Sequence, residues 1–209
     1  MFTRSYITEK ISSYEAGRWG SGVLRQEHLQ RGDHDLNPQM ELPKTSRPAA
    51  VLIPLIRHKG GMTVLLTQRA SNLKDHAGQI SFPGGRMETS DVGYEATALR
   101  ETEEEISLSR DQVEVIGRLD TYMTRTGFEV IPVVAFVKPP IYVKADPQEV
   151  AAIFEVPLAF LMDRTNHKRA SRNVCGTTRY FYAMEYHGYY IWGATAGMLV
   201  NLSELLSPI

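Results

Sequence analysis

Two apolar, β-branched runs dominate the first half of the chain: AAVLIPLIR at 49–57 and MTVLLTQR at 62–69. Each is bounded by turn chemistry, and residues 58–61 between them predict a hairpin. QVEVIGRLDTY and FEVIPVVAFV predict two further strands, and TRYFYAMEY with GYYIWG predicts a second hairpin around His187 and Gly188. EVAAIFEVPLAFLMD reads as a short strand or turn, then a helix begun near Pro157. ATAGMLVNLSELL repeats its apolar positions at helical spacing and predicts a closing helix. Residues 1–48 are polar, with amphipathic helices predicted over 8–17 and 22–30 and an irregular approach rich in Asp and Pro. Strands interleaved with helices predict an α/β fold with helices on both sides of a sheet. The expected organisation is a partly helical N-terminal extension, 1–48, and one domain, 49–209.

One further helix, over about 93–106, is amphipathic in a chemically pointed way. Val92, Ala96, Leu99 and Ile106 fall on one apolar arc at about 100° per residue. Glu101, Glu104 and Glu105 fall together opposite it, because positions i, i+3 and i+4 are neighbours on a helix surface. Like charges gathered this way destabilise a helix unless a cation sits among them. Carboxylate oxygens are hard ligands, suited to Mg²⁺ or Mn²⁺. Glu103 points toward the edge of the apolar arc and is not counted with them. The bland reading is a solvated acidic face, the usual fate of a charge run.

The flanks favour the sharper reading. Pro83 stiffens a turn in which Gly84 and Gly85 allow close approach of a phosphate to the backbone. Ser90 or Asp91 can cap the helix. Arg100, within it, can hold a glutamate in place through charge-assisted hydrogen bonds. Other polar residues weigh less. Arg57, Lys59 and Arg86 read as solvated loop charges, His76 as a hydrogen-bonding loop residue, and Trp192 as core.

Composition narrows the field. The chain has 209 residues, 43% hydrophobic and 22% charged, with a formal charge of −1, so no bulk positive charge argues for nucleic acid. No apolar run approaches the ~20 residues of a membrane span, and the first twenty residues lack an apolar signal region. A single cysteine, Cys175, excludes an internal disulfide and fits a reducing cytoplasm.

GGRMETSDVGYEATALRETEEEISL resembles the signature box of the Nudix hydrolases, which cleave diphosphates linked to a nucleoside. Gly85, Arg100, Glu101, Glu104, Glu105 and Leu108 match the family pattern. Eight residues rather than seven separate Asp91 from Arg100, Thr102 replaces an apolar residue, and Ser107 replaces the closing glycine. The stretch ahead of it, LLTQRASNLKDHAGQISFPGG, is similar to the signature of the coenzyme A diphosphatases. Leu65, Leu66, Thr67, Arg69, Ala70, Gly78, Phe82, Pro83, Gly84 and Gly85 are in register, with Lys74 in place of the usual arginine.

The resemblance implies an α/β/α sandwich with a mixed central sheet and a loop-helix-loop catalytic motif. It implies hydrolysis of coenzyme A or acyl-coenzyme A with Mg²⁺ or Mn²⁺ held by Glu101, Glu104 and Glu105. Arg69, Lys74, Gly84 and Gly85 are expected at the substrate, and Arg100 and Glu149 in the catalytic machinery, Glu149 because its stretch PQEVAAIFEVPL also resembles that branch. A homodimer is a further expectation, since family members are often dimers. Which carboxylate serves as general base stays open. So do two other readings: the same chemistry on ADP-ribose, a dinucleoside polyphosphate or NADH, and a non-catalytic nucleotide sensor, against which the retention of all three glutamates weighs.

Overall fold

The chain opens with helix α1 (Arg4–Trp19), the two-residue strand β1 (Arg31–Gly32) and a 3-10 turn (Asp33–Leu36). The apolar hairpin follows as β2 (Arg47–His58) and β3 (Gly61–Arg69), antiparallel, with His58 opposite Gly61. Next come β4 (Ile80–Ser81), β5 (Gly84–Arg86), helix α2 (Tyr94–Ile106), β6 (Val113–Arg118), β7 (Tyr122–Met123) and β8 (Phe128–Val137). Strand β9 (Val150–Pro157) runs directly into α3 (Leu158–Met162); β10 (Lys168–Val174), β11 (Thr177–Tyr186) and β12 (Tyr189–Trp192) precede α4 (Ala194–Leu206). These elements come from a computed structural model that describes residues 2–19, 30–43, 45–73, 75–174 and 176–207.

Strands β1 to β9 form one mixed sheet, in which β2 lies parallel to β8 from Arg47–Phe128 to Ile56–Val137. The last three strands form a small antiparallel sheet. Strand β2 is buried on both faces, so it reads as a nearly continuous apolar run rather than an alternating one. Ala49, Ile53 and Leu55 enter a core shared with Ile7 and Ile11 of α1, Leu158 and Leu161 of α3, and Leu199 and Leu202 of α4. Ala50, Leu52 and Ile56 face the other way, toward Ala98 and Ile106 of α2. Helices therefore cover both faces of a mixed sheet, the α/β/α arrangement the sequence predicts. Ile7 and Ile11, one helical turn apart, are fully buried, and such burial is worth about 1.5–3 kcal/mol per side chain.

Three local expectations change. The Pro-Gly-Gly turn is strand at Gly84–Arg86, paired antiparallel with Ala49, Ala50 and Val51 of β2. Strand β10, KRASRNV, was not predicted, because its residues are mostly exposed and polar on both faces. The apolar arc of α2 is redrawn as well. Val92 lies ahead of the helix and is 93% exposed, while the buried positions are Thr97, Ala98, Thr102, Glu105 and Ile106. Two threonines can take buried places because both hydroxyls are satisfied: Thr102 donates to the carbonyl of Ala98 at 2.6 Å, and Thr97 to Asp91 at 2.9 Å. The helix expected over 22–30 falls almost wholly outside the described residues, as does Cys175.

Candidate active site

The outer halves of β2 and β3 splay apart, and residues 80–86 fill the fork. Strand β4 pairs with Thr67 and Gln68 of β3, and β5 pairs with the start of β2. Between them Phe82 is a buried wedge, and the carbonyl of Pro83 accepts a hydrogen bond from Leu52 N at 2.8 Å. Helix α2 crosses above this insert. Its carboxylates therefore stand over strand backbone rather than over a free loop.

Each glycine of the insert has its own reason. Gly84 has φ +145, and a Cβ there would meet the carbonyl of Ala50 and lie 2.5 Å from Val51 Cα, so only glycine lets β5 close on β2. Gly85 has ordinary backbone angles, but a Cβ would lie 2.5 Å from the carboxylate of Glu101. The Glu101 side chain occupies the space that glycine leaves. Gly84 N also donates to Glu105 Oε2 at 3.2 Å. Gly84 thus holds Glu105 through its amide, while Gly85 leaves room for Glu101.

Arg100 organises the outer part of the site. It contacts Asp91 with Nε at 3.0 Å and Nη2 at 2.9 Å, Glu101 and Glu104 with Nη1 at 3.0 Å each, and the carbonyl of Arg86 with Nη2 at 3.1 Å. The sequence suggested one glutamate partner; the guanidinium takes two, plus an aspartate. Asp91, read as a helix cap, is instead the anchor of Arg100, and the helix begins after Gly93 with no side-chain cap. Its carboxyl is held well below the ordinary range, first by the hydrogen bonds of Arg100. The signal was present in the sequence, since Asp91 occupies the acid position of the signature box.

Glu105 is the deep member. It is 3% exposed, and its carboxyl is pushed up to about 8, chiefly by burial. The amide of Gly84 and the charge of Arg69 act in the opposite sense, and Glu149 and Glu101 add to the rise. Arg69 Nη1 is 4.0 Å from Glu105 Oε1, and Arg69 Nε is buried without a hydrogen-bond partner among the described residues. Burial also raises Glu101, with Arg100 opposing it and Glu104 and Glu149 adding to it. Glu149 arrives from the turn before β9, where its carbonyl accepts from Ala70 N at 2.8 Å. Its side chain is exposed, and its charge reaches both Glu101 and Glu105.

The fold thus brings together Arg69, Gly84, Gly85, Arg100, Glu101, Glu104, Glu105 and Glu149; Lys74 lies outside the described residues. Glu103 turns away to Arg110, at 2.9 Å. Among the described residues no three His, Cys, Asp or Glu side chains form a ready-made metal cage. The hydrogen bonds explain why: Glu101 and Glu104 are turned to Arg100, and Glu105 to Gly84 N. Glu104, whose side chain is 59% exposed, is the one most at liberty to turn.

Residues 46–174 match the family model described as the NUDIX domain. The chain belongs to the Nudix family. Nudix relatives include the protein named "Uncharacterized Nudix hydrolase NudL" of Citrobacter koseri, 40% identical over 157 residues, covering 75% of this chain and 81% of the relative. The protein of the same name from Shigella flexneri serotype 5b is 39% identical over 169 residues, covering 80% and 88%. Among solved structures, RenU, a Nudix hydrolase from M. smegmatis, aligns with a TM-score of 0.48 and 22% identity, covering 57% of this chain and 75% of that one. This Nudix protein is an enzyme, a hydrolase of a nucleoside diphosphate derivative, and Nudix hydrolases generally use divalent ions such as Mg²⁺ or Mn²⁺. No helix among the described residues is long and apolar enough to cross a membrane.

Proposed function

We propose that this enzyme hydrolyses the diphosphate of coenzyme A or acyl-coenzyme A, releasing (acyl-)phosphopantetheine and adenosine 3′,5′-bisphosphate. One observation carries the reading: the run from Leu65 to Leu108 joins a coenzyme A diphosphatase-like segment to the carboxylate helix without a break. That segment spans β3, β4 and β5, the strands that frame the fork beneath Glu101 and Glu105.

The donor set fits a hard divalent cation. Burial, with neighbouring acids adding to it, raises Glu101 and Glu105 above the ordinary carboxylate range, so a bound cation of oxygen preference would favour the charged form of both. Glu101, Glu104 and Glu105 would hold Mg²⁺ or Mn²⁺, which supplies charge neutralisation at the diphosphate and an activated water. The remaining work belongs to the chain. Arg100 orients Glu101 and Glu104 while Asp91 holds Arg100. The Gly84 amide fixes Glu105. Arg69, with a donor to spare, meets a phosphate oxygen, and Lys74 adds a further positive charge from the same branch segment. Glu149 stands at the mouth, able to accept a proton.

Product analysis with coenzyme A and Mg²⁺ or Mn²⁺ tests the reading. Phosphopantetheine and adenosine 3′,5′-bisphosphate are expected, and Glu104→Gln should abolish turnover while leaving the fold intact. Intact coenzyme A at high enzyme, or a clear preference for ADP-ribose, a dinucleoside polyphosphate or NADH, overturns the substrate assignment. Equal product release by wild type and Glu104→Gln overturns the metal mechanism.

A further inference from the structure

A cavity of about 610 Å³ opens on the α2 face of the large sheet, away from the carboxylates. That volume lies within the roughly 300–1,000 Å³ of ordinary ligand sites. Its floor is Leu65 of β3 and Ile153 of β9, and one wall is Ile141 and Val143 from the segment after β8. The rim is polar. His58 Nε2 lies 2.6 Å from Glu155 Oε2, Thr63 donates to the same carboxylate, and Arg57 stands beside them. Glu155 is thus engaged within the rim.

Position connects this cavity to the candidate active site. Strands β3 and β9 run through both: Arg69 pairs with Val150, next to Glu149, and Leu65 pairs with Glu155. Leu65 and Arg69 are four residues apart, about 13 Å along a strand. The pantetheine arm, from its phosphate ester oxygen to its sulfur, has about twelve bonds, as many as four residues of chain, so it reaches ~13–14 Å when extended. With the diphosphate at Arg69 and the glutamates, the sulfur falls at the cavity.

We propose that this cavity receives the acyl-thioester end of the substrate, with the apolar floor holding the acyl chain. The assignment rests on the coenzyme A reading above. An acyl chain gains about fourfold in affinity for each methylene it buries, so the cavity makes medium-chain esters better ligands than the free thiol.

The test is calorimetric titration of the metal-free protein with S-octanoyl phosphopantetheine and, separately, with adenosine 3′,5′-bisphosphate. Val143→Phe and Ile141→Trp each fill the cavity from its wall, and melting curves verify that each variant folds. The expected result is octanoyl-ligand binding weakened about tenfold or more in both variants, with nucleotide affinity unchanged. Unchanged octanoyl binding, or equal weakening of both ligands, overturns the cavity assignment. Hydrolysis of coenzyme A by the wild type separates the two ideas. If coenzyme A is cleaved and filling has no effect, the cavity assignment alone falls. If coenzyme A is not cleaved, the substrate reading and the cavity's part in it fall together.

Discussion

Arg100 meets Asp91 through two parallel contacts, Nε to Oδ1 at 3.0 Å and Nη2 to Oδ2 at 2.9 Å. This two-pronged geometry is the strong form of a guanidinium–carboxylate pair. Asp91 is 5% exposed at its side chain, so removing it leaves Arg100 among Glu101 and Glu104 without its anchor.

Asp91→Ala is therefore expected to cost about 3 kcal/mol, the scale for breaking one side of a well-buried ion pair. Denaturant melts of both proteins measure it. The difference should also depend on acid. Because the folded carboxyl titrates below its ordinary 3.8, its contribution is complete above that pH and fades as pH falls below it. Wild type and variant should converge in strong acid.

Glu105 gives the opposite pH signature. A carboxyl raised from 4.5 to about 8 favours the folded state fully below pH 4.5 and progressively less as pH climbs toward 8. Metal-free wild type should lose stability across that interval, and Glu105→Gln, which keeps an oxygen for Gly84 N, should flatten the loss. Added Mn²⁺ should restore the wild type at pH 8 and leave Glu105→Gln little changed. Melting temperatures at a series of pH values, with and without the ion, decide it.

The two adjacent glycines should fail differently. At Gly84 an added methyl meets β2 backbone and a strained φ, so Gly84→Ala should destabilise by about 3 kcal/mol or more, the scale of combined overpacking and strain. At Gly85 it meets only the mobile end of Glu101, so Gly85→Ala should fold nearly normally yet turn over about 100-fold more slowly. Melting curves beside kcat for both variants give the contrast.

Ser107 ends α2 in the left-handed region, φ 55, with its amide donating to the carbonyl of Glu103 at 2.9 Å. Ser107→Gly relieves that backbone and is expected to stabilise the protein by about 1 kcal/mol with unchanged turnover. Equal melting temperatures would leave the left-handed cap without cost.

Much of this molecule is legible along the chain, because β-branched runs and helical spacing report burial directly. β2, β3 and β8 lie where hydropathy puts them, α2 spans the predicted residues, and the separation of Glu103 from the other glutamates follows from angle alone. What escaped the reading depends on partners distant in sequence. β5 is strand only because β2 accepts it, and β10 only because β11 does. Thr102 looked like a defect in an apolar position, yet its hydroxyl is satisfied one turn back. Asp91 looked like a cap until Arg100, nine residues on, reached for it.

Strand pairing under the glutamates has a thermal consequence. Gly84–Arg86 hydrogen-bonds with the central strand β2, and Leu52 donates to Pro83, so the floor of the site is a piece of the main sheet. Loops that carry function usually open on their own, well before the fold does. Here the amide of Leu52 should exchange its hydrogen only as rarely as the sheet itself comes apart, and heat should extinguish catalysis and fold at one temperature.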